Sequence, residues 1–237
     1  MKKLMTVALL VVLVLTACGT PDGPSEGSSE GPTVEEGATA SPTLPPRPDV
    51  ESPLSPIEPI GVGSRGTVLL IIAPNDFNDD EYVLPRLAFE GAGYEVVVAS
   101  KSTDMASGMF GTQVEPDIAL ADVDIADYEA VVFIGGGGAN AYWDDEQAHR
   151  VAQEAVQEAK VLGAICIAPV ILARAGVLVD TEATVFDPEN MCSELEAGEA
   201  VCTGEPVERD GLIVTGFGPE VAEEFALTVI QVVEEPR

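Results

Sequence analysis

Across 237 residues, 41 aspartates and glutamates stand against 11 lysines and arginines, a formal net charge of −30. A surface of that sign repels a phosphate backbone or an anionic lipid face, so nucleic acid is excluded as a partner. One histidine and four cysteines, none in zinc-ligand spacing, give no metal site to expect, and no cofactor is implied.

The chain opens Met1-Lys2-Lys3, continues with an apolar run over residues 4–15, and then reads Thr16-Ala17-Cys18-Gly19. A basic start, a short apolar core and small residues before a cut site describe a secretory signal, here residues 1–17. A membrane span needs roughly 20 apolar residues, more than this run has. Leu15-Thr16-Ala17-Cys18 also resembles a lipobox, which implies diacylation of Cys18, cleavage before it, and anchorage to a lipid bilayer on the extracytoplasmic side.

Residues 18–65 change character. Ten prolines lie among Gly, Ser, Thr and Glu between positions 19 and 64, without an aromatic residue. Such a segment buries too little apolar surface to offset its ordering entropy, and is expected to be a disordered linker. As a coil it would span roughly 40 Å, enough to hold a domain clear of a bilayer. Residues 66–237 then suffice for one domain with its own core.

Within that domain, buried strands are expected over residues 67–73, 94–99, 130–134 and 161–166, each rich in Val and Ile with no polar alternation. Helices are expected over 79–92, 144–160 with Asp144 as N-cap, and 170–175. Non-alternating strands separated by helices make an α/β domain with a mostly parallel sheet covered on both faces. Ligands in such sheets bind beyond the carboxyl ends of the strands. Three loops meet there, after Ala73, Ile134 and Ile165.

The loop after Ile165 reads Ala164-Ile165-Cys166-Ile167-Ala168-Pro169. A sharp strand-to-helix turn exposes one nucleophile at its tip, provided the residues two positions away on either side are small, as Ala164 and Ala168 are. Pro169 suits a first helical turn, and the helix N-terminus favours a thiolate. The competing reading is an inert buried cysteine. Gly135-Gly136-Gly137-Gly138 follows the strand at 130–134 and allows backbone N–H groups to approach an oxyanion. The first loop, residues 74–81, is crowded with carboxylates, mostly expected to be solvated; Glu81, one turn into its helix, is placed to point back at the strand ends.

Cys192 and Cys202 flank a helix-like stretch at 193–197 and a Gly198 turn, and on an oxidising side of a membrane they are expected to form a disulfide. Closing so short a loop contributes about 2–3 kcal/mol in the chain-entropy model.

Taken together, the loops resemble the DJ-1/PfpI family of the class I glutamine amidotransferase-like superfamily. The features that carry the resemblance are Glu81 four residues before Pro85, Val132-Phe133-Ile134 running into the four glycines, and Ala164-Ile165-Cys166. The late run Asp210-Gly211-Leu212-Ile213-Val214-Thr215-Gly216-Phe217-Gly218-Pro219 completes it as a closing strand, turn and helix start. The resemblance implies a flavodoxin-like three-layer sandwich with Cys166 as nucleophile, Glu81 as its acidic partner, and backbone donors near Gly136, Gly137 and Ile167 as the oxyanion site. Members similar to the intracellular proteases place histidine directly after the cysteine; here that residue is Ile167, and His149, on the helix at 144–160, is expected to be structural.

A cysteine-dependent glyoxalase or deglycase acting on small carbonyl compounds is therefore the leading expectation. A cysteine oxidation sensor, an amidase or peptidase, and a binding relic without chemistry are the alternatives; a homodimer is admitted. An ordinary thiol is only about 3% ionised at pH 7, whereas one with a pKa near 6 is about 90% ionised. Glu81 can assist that ionisation only while it keeps its own proton.

Overall fold

The computed structural model describes residues 64–188 and 190–236. The signal segment, Cys18 and linker residues 18–63 lie outside them. Arg65 already belongs to the folded domain, since its N–H donates to the Gly93 carbonyl and its guanidinium pairs with Glu234.

In chain order the domain runs β1 (Thr67–Ile71), β2 (Asn75–Phe77), α1 (Asp79–Gly91), β3 (Glu95–Ser100), β4 (Ala106–Gly108), β5 (Gln113–Val114) and β6 (Ile118–Ala119). It continues with β7 (Ala130–Phe133), α2 (Glu146–Gln157), β8 (Val161–Ile165), α3 (Pro169–Arg174), β9 (Glu182–Ala183) and α4 (Cys192–Ala197). It closes with β10 (Val201–Cys202), β11 (Val207–Asp210), β12 (Ile213–Gly216) and α5 (Ala222–Glu234). Seven strands form the central sheet in the order β11-β12-β8-β7-β1-β3-β6, parallel throughout except for β11 at one edge. Helices α1 and α5 pack together on one face, and α2 and α3 on the other. This is the expected three-layer arrangement.

The central strands are apolar because both of their faces are covered. Leu69, Leu70, Val131, Val132 and Leu162 have no exposed surface. Gly163 in β8 is an exception with a cause: a Cβ there would stand 3.0 Å from the Phe225 ring and 3.2 Å from Val132. Phe225 of α5 thus fills the space that a side chain on β8 would occupy. A ring in that position locks helix to sheet.

The expected boundaries move by one to three residues, and one cap changes. Asp145, not Asp144, caps α2, its Oδ1 accepting from Gln147 N–H at 2.9 Å and Ala148 N–H at 3.1 Å. A 3-10 segment, residues 137–142, carries the chain one residue further before the helix begins. Asp144 instead receives a two-pronged hydrogen bond from Arg174 at 2.9 and 3.0 Å. The short strands β2, β4, β5, β6, β9 and β10 escaped the sequence reading, because two- and three-residue ladders have no period to detect.

Replacing Phe225 with alanine removes the ring that fills the Gly163 gap and should cost about 3–5 kcal/mol. The loss should appear as a lower urea midpoint with unchanged cooperativity; a shift of under 1 kcal/mol would mean that α5 does not lock the sheet.

Candidate active site

Three connections converge at the carboxyl ends of β1, β7 and β8, and each is held by backbone geometry. Asn78 caps α1, its Oδ1 accepting from Asp80 N–H at 3.1 Å and Glu81 N–H at 3.3 Å. That cap starts the helix so that Glu81 turns inward, with no exposed surface, instead of standing in solvent. Asp79 is buried too and accepts from the N–H groups of Phe110 and Thr112, both at 2.8 Å, tying the β4–β5 turn to α1. Burial works against the Asp79 charge, but the Thr112 side chain and those N–H groups outweigh it and hold the carboxyl below its ordinary range. The expectation of mostly solvated carboxylates in this loop fails for Asp79, whereas Glu81 turns back toward the strand ends as expected.

The glycine run is chiefly a packing device. A Cβ on Gly135 would lie 2.5 Å from both the Cys166 Cβ and Glu81 Oε2; one on Gly136 would lie 2.3 Å from the Asn78 nitrogen; one on Gly138 would lie 1.7 Å from the Asn75 carbonyl oxygen. Gly136 also has φ of 95°, open to glycine at little cost. Only Gly137 has free space around it, and it lines the cleft. The backbone must therefore pass between Cys166 and Glu81, and Gly135 N–H donates to Glu81 Oε2 at 3.0 Å on the way.

Cys166 sits at φ of 63°, a strained conformation for a residue with a side chain. Neighbouring structure enforces it. The Cys166 N–H donates to the Gly216 carbonyl at the end of β12, and the Phe186 N–H donates to the Cys166 carbonyl, both at 2.9 Å. Ala164 and Ala168 are fully buried on either side, and Pro169 opens α3. The sulfur receives the backbone N–H groups of Gly136 and Ile167 and lies against the Glu81 carboxyl. Two of the three expected backbone donors thus reach it.

The electrostatics are those of a pair sharing little solvent. Burial pushes the Glu81 carboxyl up to about 7, against the hydrogen bonds from Cys166 and Gly135; Glu220 and Asp80 add to the rise. Burial, and then the Glu81 charge, push the Cys166 thiol up to about 12, although the Gly136 and Ile167 donors pull it down. The sequence expectation that a helix N-terminus lowers this thiol gives way here. Helix α3 has six residues and starts three positions beyond the cysteine, a weak dipole set against burial. Adjacent buried acids titrate as a unit, so the pair loses its first proton near 7 and its second far higher. Glu81 Oε1 is buried with no hydrogen-bond partner, a site suited to holding a proton.

Asn78, Met109, Gly136, Gly137, Ile167, Phe186, Pro219 and Glu220 surround Cys166 in a cleft of about 320 Å³. His149 does not enter it. Its Nε2 donates to the Trp143 carbonyl at 2.7 Å, and the Trp143 indole N–H donates to the Ile167 carbonyl at 3.3 Å, so His149 supports the elbow from behind. The sequence reading passed over Gly135, Gly216, Phe186, Trp143 and Glu220. Of these only Gly135, in the glycine run, and Gly216, in the closing run, left a trace.

The DJ-1/PfpI family model matches residues 66–232. The chain belongs to the DJ-1/PfpI family. An uncharacterized protein of Methanocaldococcus jannaschii is 36% identical over 169 residues, 71% of this chain and 82% of that protein. The Caenorhabditis elegans glutathione-independent glyoxalase DJR-1.2 is 23% identical over 74% of this chain and 92% of its own length. Other family relatives carry the name deglycase. A solved ThiJ/PfpI domain protein from Brachyspira murdochii superposes with a TM-score of 0.70 at 30% identity, covering 74% of this chain and all of that one.

The Glu81 shift has a consequence for stability. Its folded value, about 7, exceeds the ordinary 4.5, so the proton favours the folded state. The contribution is complete below about pH 4.5 and is lost as pH rises through about 7. Measured against Glu81→Gln, which has no such proton, the parent should lose about 3 kcal/mol between those limits, an order-of-magnitude figure. Urea titrations of both proteins at several pH values read this directly; parallel midpoints would mean that the Glu81 carboxyl is not raised.

Proposed function

We propose that this chain is a membrane-tethered, cysteine-dependent enzyme that rearranges small reactive carbonyl compounds, of the glyoxalase or deglycase type. The observation that carries the chemistry is a strained Cys166 whose sulfur meets two backbone donors and a carboxyl that is half protonated near neutrality. In the singly charged pair, transfer of the Cys166 proton to Glu81 Oε1 gives the nucleophile and its acid together.

For methylglyoxal the steps balance without a co-reactant other than water. The thiolate adds to the aldehyde carbon, and the carbonyl oxygen takes the Glu81 proton, giving a hemithioacetal. Glu81 then removes the hydrogen from that carbon, the electron pair moves into an enediolate, and the hemithioacetal hydroxyl proton passes to the neighbouring oxygen. Return of the proton to the neighbouring carbon gives a lactoyl thioester. Water cleaves it to lactate and restores the thiol. The N–H groups of Gly136 and Ile167 stabilise the oxygen while it carries charge. With isoleucine at the position where a protease-like relative would have histidine, no imidazole in the cleft lining is available to protonate an amine leaving group, which disfavours amidase or peptidase chemistry.

The lipobox at Cys18 and the proline-rich stretch behind it support a tether that places the domain outside the cytoplasm. The protein should partition with membranes and lose that association on Cys18→Ser, as read by fractionation and by the intact mass of the mature N-terminus. An unmodified N-terminus at another residue would reject the anchor.

Methylglyoxal should be converted to lactate, with Cys166→Ser inactive, Glu81→Leu reduced at least a hundredfold in kcat/KM, and His149→Ala retaining most activity. Iodoacetamide alkylation of Cys166 in the parent should rise to a plateau near pH 7, whereas Glu81→Leu should titrate only at higher pH. If no carbonyl compound is turned over and peroxide adds two oxygens to Cys166, the sensor reading replaces this one.

A further inference from the structure

The cleft around Cys166 has one charged side chain in its lining, Glu220, and no Lys, Arg or His among the described residues that form it. Glu220 follows the tight turn at Gly218-Pro219, and its carboxylate folds back over that turn: a Cβ on Gly218 would lie 3.0 Å from Glu220 Oε2. Its field reaches the bottom of the cleft, where it disfavours charge on Glu81. A second cleft of about 270 Å³, lined by Gly204, Pro206, Phe217, Glu220 and Val221, shares Glu220 with the first. The Phe186 and Phe217 rings, in edge contact at 5.5 Å between centroids, stand one in each cleft. A substrate occupying both clefts would touch the Glu220 residue that lines each of them.

We propose that Glu220 is the specificity-determining residue of this site, admitting uncharged and cationic carbonyl compounds and rejecting anionic ones such as α-oxo carboxylates. An anion here meets the Glu220 carboxylate in the cleft lining and the Glu81 carboxyl beside the sulfur. A cation, such as the ammonium of an amine-bearing adduct, gains a counter-charge at the junction of two apolar clefts. The inference rests on Cys166 as the reacting atom but not on turnover.

Methanethiosulfonate reagents separate the two. In each, the Cys166 thiolate attacks the sulfenyl sulfur, a disulfide forms and methanesulfinate leaves, so only the charge on the transferred group differs. Rates at Cys166, read by peptide mass, are compared for trimethylammonium-ethyl, sulfonato-ethyl and uncharged methyl reagents. The proteins are the parent, Glu220→Gln, and Glu158→Gln, which makes the same charge change at the C-terminal end of α2, just before the amino end of β8. Normalised to the methyl reagent, each charged rate should shift about threefold in opposite senses in Glu220→Gln at low salt, so the cation-to-anion ratio falls about tenfold. The effect should shrink in about 1 M salt, and Glu158→Gln should keep the parent ratio. A ratio within twofold of the parent, or an equal fall in Glu158→Gln, would overturn the gate. Absence of methylglyoxal turnover together with the tenfold fall would reject the carbonyl chemistry and leave the gate standing.

Discussion

A carboxyl and a thiol buried side by side cannot both be anions, and much of this domain is arranged around the single charge they share. Outside the protein each would ionise independently in water. Here Glu81 has no exposed surface and Cys166 is 7% exposed, so the first charge formed raises the cost of a second. What remains to be set is where that charge resides. The sulfur has the N–H groups of Gly136 and Ile167; the carboxyl has one from Gly135 and one oxygen without a partner. Backbone donors are fixed in direction and require no reorganisation when charge moves, which is what makes them useful to a reaction.

Keeping the pair in register demands close approach, and close approach explains the unusual backbone. The strand-to-loop segment after β7 must slide between two side chains, which only glycine at 135 permits. The elbow must hold a left-handed cysteine, and hydrogen bonds on both sides of that residue, to Gly216 and from Phe186, supply the restraint. Phe186 itself lies on a segment pinned from behind. Asp187 accepts from Cys192 N–H at 3.0 Å, Ala183 pairs with Cys202 across β9 and β10, and a disulfide joins Cys192 to Cys202 with 5.5 Å between their Cα atoms. The covalent loop thus restrains the outer wall of the cleft, although it lies far along the chain from the other site residues.

Among the described residues, the cations are largely committed to the surface framework. Arg174 binds Asp144 and Glu194 while stacking over Trp143, the residue whose indole supports the Ile167 carbonyl. Arg150 holds Glu154 and the carbonyls of Leu120 and Val123. With the positive charges so placed, the cleft at the carboxyl ends of the central strands keeps Glu220 as the one charged side chain in its lining, which bears on what can enter it.

The sequence by itself determined the layered α/β fold, because strands buried on both faces need apolar residues at every position, and that pattern survives without coordinates. It also singled out Cys166, since a nucleophile between small residues at a strand end is a local feature, and Glu81, through its place in the motif. It could not show that Asp79 and Glu81 leave solvent, that three of the four glycines exist for packing, or that His149 reaches the elbow through Trp143. Those facts depend on contacts between residues that lie as far apart in the chain as Glu81 and Gly135, 54 positions. The ionisation of the Glu81–Cys166 pair is the clearest case: residue types fix the ordinary pKa values, but burial and mutual distance, which only the tertiary structure decides, determine which proton is held.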